Sequence, residues 1–125
     1  MLKVKDVMTT DVITIEGNAT VASAIRIMKD KKIRSLIITP RSAEDAYGIL
    51  TEADIAYKVL AYSKNPNDIP VHTVMTKPCI VVNPDLGVEY AARLFAQTKI
   101  HRAPVIKDKL LGIVSITDIL RRTEC

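Results

Sequence analysis

The hydrophobic positions along the chain form a pattern that is met twice. Two short β-branched runs, Val12-Ile13-Thr14-Ile15 and Cys79-Ile80-Val81-Val82, are bounded by the turn-formers Glu16-Gly17-Asn18 and Asn83-Pro84-Asp85. Such runs predict buried strands. Apolar residues then recur at helical spacing, first as Val21, Ala24, Ile25 and Met28, and again at the same offset as Val88, Ala91, Ala92 and Phe95. Arg26, Lys29, Asp30 and Lys31 fall on the opposite, solvated face of the first helix. Asn18 or Thr20, and Asp85, are candidate N-caps, because a short side-chain oxygen accepts from the orphan amides of a first turn. On this spacing Met28 and Phe95 are core residues rather than ligand contacts.

Each helix is followed by a basic turn and a strand, Leu36–Thr39 in the first copy and Pro104–Lys107 in the second. The second copy then makes a tight hairpin at Lys107-Asp108-Lys109 into Leu110–Val114. The first copy has a longer charged loop, Pro40 to Ala46, before Tyr47–Leu50, and such an insertion costs little in a surface connection. Helices from about Glu52 to Tyr62 and from Ile116 to Arg122 close the two copies, and Asp6-Val7-Met8-Thr9 and Thr73-Val74-Met75-Thr76 open them. The chain thus reads as repeat 1 (1–62), a linker (63–70) that is aperiodic and carries Pro66 and Pro70, and repeat 2 (71–125). Each repeat is strand–helix–strand–strand–helix. A unit of roughly 60 residues is marginal alone, so the two are expected to cover each other's apolar sheet faces about a pseudo-two-fold axis. The fold class is α/β of the α+β kind, β-α-β-β-α twice.

Composition narrows the function. Hydrophobic residues make up 48% of the chain, yet there is no Trp and one Phe, so the core is built from aliphatic side chains. No apolar run approaches the roughly 20 residues that span a bilayer, and Met1–Asp6 lacks the long apolar region of a signal peptide. A cytoplasmic protein without a membrane partner is expected. The net charge of +4 favours anionic partners, but basic residues alternate with acidic ones and aromatics are scarce, so nucleic acid is not expected. Cys79 and Cys125 suggest no disulfide scaffold, and Cys79 in its apolar run reads as a small buried thiol. His72 and His101 lie in separate connections without a nucleophile beside them, and neither a metal-ligand cluster nor a Gly-rich phosphate loop occurs. No catalysis, no metal and no required cofactor are expected.

Two motifs carry candidate chemistry. Thr51-x-x-Asp54 and Ser115-x-x-Asp118 each place a hydroxyl and a carboxylate in the first turn of a helix, beside free amides and the positive end of the dipole. A phosphate and a sugar hydroxyl suit that arrangement. The same spacing is also a capping box, and both readings stand. His101 and Arg102 offer donors for phosphate oxygens; alternatively they are solvated cations at a helix C-terminus.

The openings Val7-Met8-Thr9 and Val74-Met75-Thr76, the run Ile100-His101-Arg102-Ala103-Pro104-Val105-Ile106, and the segments Gly48-Ile49-Leu50-Thr51 and Gly112-Ile113-Val114-Ser115 together resemble a tandem pair of CBS domains, a Bateman module. The resemblance covers nearly the whole chain. It implies a non-catalytic regulatory module, like those within IMP dehydrogenases, chloride channels, magnesium transporters, cystathionine β-synthase and the gamma subunit of AMP-activated protein kinase. It further implies adenosine-containing ligands in clefts between the repeats: AMP, ADP or ATP as an energy signal, with S-adenosylmethionine or NAD as alternatives. By position, the ribose would fall to Asp54 and Asp118, and the phosphate to Thr51, Ser115, His101 and Arg102. Thr14, Ile15, Ile80 and Val82 match the family's base-binding positions, and each is equally readable as plain core. Arg34 aligns with His101 and Ser35 with Arg102, so the guanidinium is shifted in repeat 1 and two unequal sites are expected. The resemblance also implies a homodimer of CBS pairs and an effector protein as partner. The alternative is a ligand-free module that dimerises or docks a partner.

Overall fold

A computed structural model describes residues 1–122; Cys125 lies outside the described residues. The elements run α1 (Val4–Val7), β1 (Thr14–Ile15), α2 (Val21–Lys31), β2 (Ser35–Ile38), β3 (Gly48–Thr51), α3 (Glu52–Lys58), α4 (Val88–Thr98), β4 (Arg102–Lys107), β5 (Lys109–Ser115) and α5 (Ile116–Arg122). Three short 3-10 turns, Leu60–Tyr62, Pro66–Asp68 and Val71–Thr73, lie between α3 and α4. The result is a mixed helix and strand fold of the α+β kind.

The chain forms two compact units, and they are not the sequence repeats. One unit is Ile13–Cys79; the other joins Met1–Val12 to the chain from Ile80 onward. In the first, β1 pairs parallel with β2 and β2 antiparallel with β3, in the order β1-β2-β3. In the second, β4 and β5 form an antiparallel pair. Each opening segment therefore packs outside the repeat that it begins. Val4 and Val7 of α1 are buried with Val82, Ala91, Phe95, Ala103, Val105 and Val114. The amides of Val4 and Lys5 donate to the carbonyls of Leu86 and Pro84. Val71 and Val74 correspondingly enter the core of Ile15, Val21, Ala24, Met28, Leu36, Ile38, Leu50, Ile55 and Val59.

Residues 63–70, expected as a linker, lie within the Ile13–Cys79 unit. The Val21 amide donates to the Ile69 carbonyl, and Thr20 bridges Pro70. Aperiodicity marked the absence of regular structure there, and backbone pairing ties the segment down all the same.

The helices meet the expectation where apolar spacing is strong. Val21, Ala24 and Met28 are buried on α2, and Ala91 and Phe95 on α4. Thr20 is the N-cap of α2, its hydroxyl accepting from the Ser23 amide. Asp85 is no cap: α4 starts after Gly87, so Asp85 lies two residues before the N-cap position, which carries no side-chain cap, and Lys5 and Lys107 hold the Asp85 carboxylate at 3.2 and 3.3 Å. Those two ammonium groups, Lys5 foremost, keep its carboxyl below the usual range. Both long helices end on a Lys in the left-handed region, Lys32 and Lys99.

The strand expectation for 79–82 fails. Val82 alone bridges β4, its amide donating to the Pro104 carbonyl, while Ile80 and Val81 are exposed. Likewise only Thr14–Ile15 of the first run is strand. The second helix of repeat 1 stops at Lys58 and gives way to the 3-10 turn.

Candidate functional site

β2 and β3 run in a register that places Ser35 opposite Thr51, and the Glu52 amide donates to the Arg34 carbonyl. In the other unit Arg102 pairs with Ser115, and the Ile116 amide donates to the His101 carbonyl. Strand register thus delivers the basic turn to the start of the following helix in both copies. His101, Arg102, Ser115 and Asp118 come together in one unit, and Arg34, Thr51 and Asp54 in the other.

Both boxes are closed as caps. The Thr51 amide and hydroxyl donate to Asp54 Oδ2 at 3.0 and 3.1 Å, and the Asp54 amide returns to Thr51 Oγ1 at 3.2 Å. The Ser115 amide and hydroxyl donate to Asp118 Oδ2 at 2.9 and 3.0 Å, with the Asp118 amide returning at 3.2 Å. A carboxylate oxygen offers two acceptor directions, so each cap occupies one oxygen and leaves the other to further donors. At Asp118 that second oxygen, Oδ1, accepts from the Thr9 hydroxyl at 3.4 Å, a long bond. At Asp54 it faces the Lys58 ammonium at 2.9 Å, and the same ammonium donates to the Val74 carbonyl at 2.9 Å. Lys58 was not singled out in the sequence, and Thr9 only as part of an opening motif and not as a site residue, although Asp and Lys four apart on one helix are a recognisable pair.

The proposed base contacts divide. Ile15 and Val82 are buried core residues, as the apolar alternative has it, whereas Ile80 is exposed. Thr14 is exposed on β1. His101 is exposed and borders a groove of about 480 Å³ with Phe95, Ile100, Ile116, Ile119 and Leu120.

A larger cavity, about 940 Å³, contains none of these residues. It sits in the Ile13–Cys79 unit at the far end of β2, under the longer loop, bordered by Glu16, Thr39, Arg41, His72, Met75 and Lys77. Its cations are already engaged. Asp45 accepts from the Arg41 amide at 2.9 Å and its guanidinium at 3.2 Å, and pairs with Lys77 at 2.7 Å. These bonds, the Arg41 amide foremost, hold the Asp45 carboxyl well below the usual carboxylate range. Size alone therefore does not make it the better candidate. Nearby, Cys79 is half-buried, and burial pushes its thiol up.

A family model, the CBS domain, matches residues 4–61 and 71–124. The chain belongs to the CBS-domain family. The boxes are therefore the same segment of two successive CBS repeats, and CBS pairs are regulatory ligand-binding modules. An uncharacterized protein of Methanopyrus kandleri, MK0525, is 34% identical over 122 residues; the match covers 96% of this chain and 62% of that protein, so the chain spans less than two thirds of its length. The solved hexameric CBS-CP12 protein from bloom-forming cyanobacteria superposes with a TM-score of 0.95 at 56% identity, over 98% of this chain and 72% of that one. The CBS domain pair of protein MJ0100, solved in complex with 5-methylthioadenosine and S-adenosyl-L-methionine, gives a TM-score of 0.83 at 30% identity, over 96% and 98%. Among the described residues no helix is long and apolar enough to cross a membrane.

Proposed function

We propose that the chain is a non-catalytic sensor of an adenosine-containing ligand, held principally at the Ser115–Asp118 box. The observation that carries this reading is the backbone pairing that brings the basic turn beside the box: Arg102 lies opposite Ser115, and the Ile116 amide donates to the His101 carbonyl. Asp118 retains acceptor capacity on Oδ1 for a ribose hydroxyl. Arg102, opposite Ser115 in the register, and His101 just before it are the residue types that meet phosphate oxygens. The bound adenosine compounds of the MJ0100 pair support the same class. AMP, ADP and ATP fit a phosphate-binding role for His101 and Arg102, and S-adenosylmethionine fits the ribose contact alone. Binding would bias one arrangement of the protein over another, and a coupling of about 1–3 kcal/mol is enough to transmit a signal. Homodimers of the pair, and an effector protein that reads them, complete the proposal.

Calorimetric titration of each nucleotide into the wild type and into Asp54→Ala with Asp118→Ala tests it. Saturable binding lost in the double variant is expected; unchanged binding removes the site assignment.

One observation favours a second reading, a ligand-free docking module. Both boxes are complete caps by themselves. No thermal shift across a nucleotide panel, beside a stable dimer in sedimentation, would select it.

A further inference from the structure

The two boxes differ in what holds the second carboxylate oxygen. Lys58 and Arg122 stand at the same place in their helices, four residues after Asp54 and Asp118. Lys58 turns back on its own box, with Nζ 2.9 Å from Asp54 Oδ1 and 2.9 Å from the Val74 carbonyl. Arg122 reaches past its box, and its guanidinium donates to the Asp6 carbonyl at 3.0 Å. Asp118 Oδ1 is left with the Thr9 hydroxyl at 3.4 Å. A hydroxyl bond of that length yields readily to a better donor, whereas an ammonium does not. The Asp54 side chain is only 11% exposed, so its charge pair is less screened than one on the open surface.

We propose that Lys58 is a built-in rival for the ligand at the Asp54 box: its ammonium takes the carboxylate oxygen that a ribose hydroxyl would need, so the Asp118 box binds and the Asp54 box stays closed. This rests on the adenosine reading above and adds the residue that separates the two sites. The cation is satisfied at both ends, by carboxylate and carbonyl, and a neutral sugar hydroxyl must displace one of those bonds to enter. Removing the cation leaves the Thr51 cap intact, because the cap uses Oδ2 alone.

Calorimetry on the full chain with adenosine, which carries no phosphate, and with AMP tests the idea in the wild type, Asp118→Asn, Lys58→Met with Asp118→Asn, and the triple variant that adds Asp54→Asn. Lys58 is nearly half exposed, and Lys58→Gln provides a second, polar replacement in which the same gain is expected. The wild type should bind adenosine at the Asp118 box, and Asp118→Asn should bind it measurably more weakly. Lys58→Met in that background should then bind adenosine about two- to fivefold tighter than Asp118→Asn alone, and Asp54→Asn should abolish the gain. If the wild type binds but neither Lys58 variant adds affinity, the rival role is overturned while the adenosine reading stands. If Lys58→Met weakens AMP and spares adenosine, Lys58 serves a phosphate instead, and the proposal is likewise overturned. Absence of binding by every variant to both compounds overturns the adenosine reading itself, and this inference with it.

Discussion

The two copies of the glycine–strand–box segment share one pattern, a glycine, an apolar strand and a hydroxyl three residues before an aspartate, in different surroundings. At Gly48, a Cβ would lie 2.9 Å from the Met75 sulfur and 3.4 Å from the Thr76 carbonyl oxygen; at Gly112 it would lie 2.6 Å from the Thr9 carbonyl oxygen and 2.9 Å from the Met8 sulfur. A methionine side chain can move aside, whereas a carbonyl fixed in the Thr9–Ile113 bridge cannot. Beyond the glycines, one carboxylate is paired with an ammonium and the other with a distant hydroxyl. Repetition in sequence thus sets the scaffold, and the neighbours of each copy decide what its box can do.

The largest effects expected are in the cores, where the copies should behave alike. Phe95→Ala, at a side chain 3% exposed, should cost about 3–5 kcal/mol, and Leu50→Ala, fully buried, about 2–5 kcal/mol, both read by urea unfolding. Next comes the glycine pair, where they should part. Gly112→Ala should destabilise by about 1–3 kcal/mol and Gly48→Ala by distinctly less, measured in the same way. Equal costs would show that the Thr9 carbonyl is less fixed than the bridge implies.

The caps should differ little from each other. Thr51→Ala and Ser115→Ala each lose a hydroxyl that accepts from an amide, and each should cost about 1 kcal/mol. The smallest effect is confined to acid. Asp45 has its carboxyl lowered in the folded state by the Arg41 amide, Lys77 and the Arg41 guanidinium. Its contribution is therefore present above the ordinary carboxylate pKa of about 4 and lost as pH falls below it towards the lowered value. The melting temperature of Asp45→Asn should lie below the wild type at pH 7, and the gap should close in acid.

Much of the scaffold was legible in the sequence because periodicity reports burial directly. The α2 stripe of Val21, Ala24 and Met28, the buried Leu36, Ile37 and Ile38 of β2 and the extent of α5 all follow from local letters, whereas β2 starts one residue earlier, at buried Ser35, and ends before Thr39. The two boxes were legible as motifs, and their dual reading as cap and ligand contact was legible too. The partition into spatial units was not. Val4 and Val7 are apolar whichever core receives them, and only tertiary pairing to Leu86 and Pro84 decides. The failure of 79–82 as a strand has a similar cause, since β-branched letters say that a segment can pair, not that a partner lies beside all of it. Asp85 was lost as a cap because α4 starts only after Gly87, two residues beyond it, a boundary that the apolar spacing does not fix. Lys58 was readable as a helix pair, but its second bond to Val74 was not.

The most direct test of the central claim reads both boxes in one sample: an NMR titration of the labelled protein with AMP, following the amides of Ser115, Asp118, Thr51 and Asp54. Saturable shifts are expected at Ser115 and Asp118 at lower AMP than any at Thr51 and Asp54. Shifts elsewhere with Ser115 and Asp118 unmoved would contradict it.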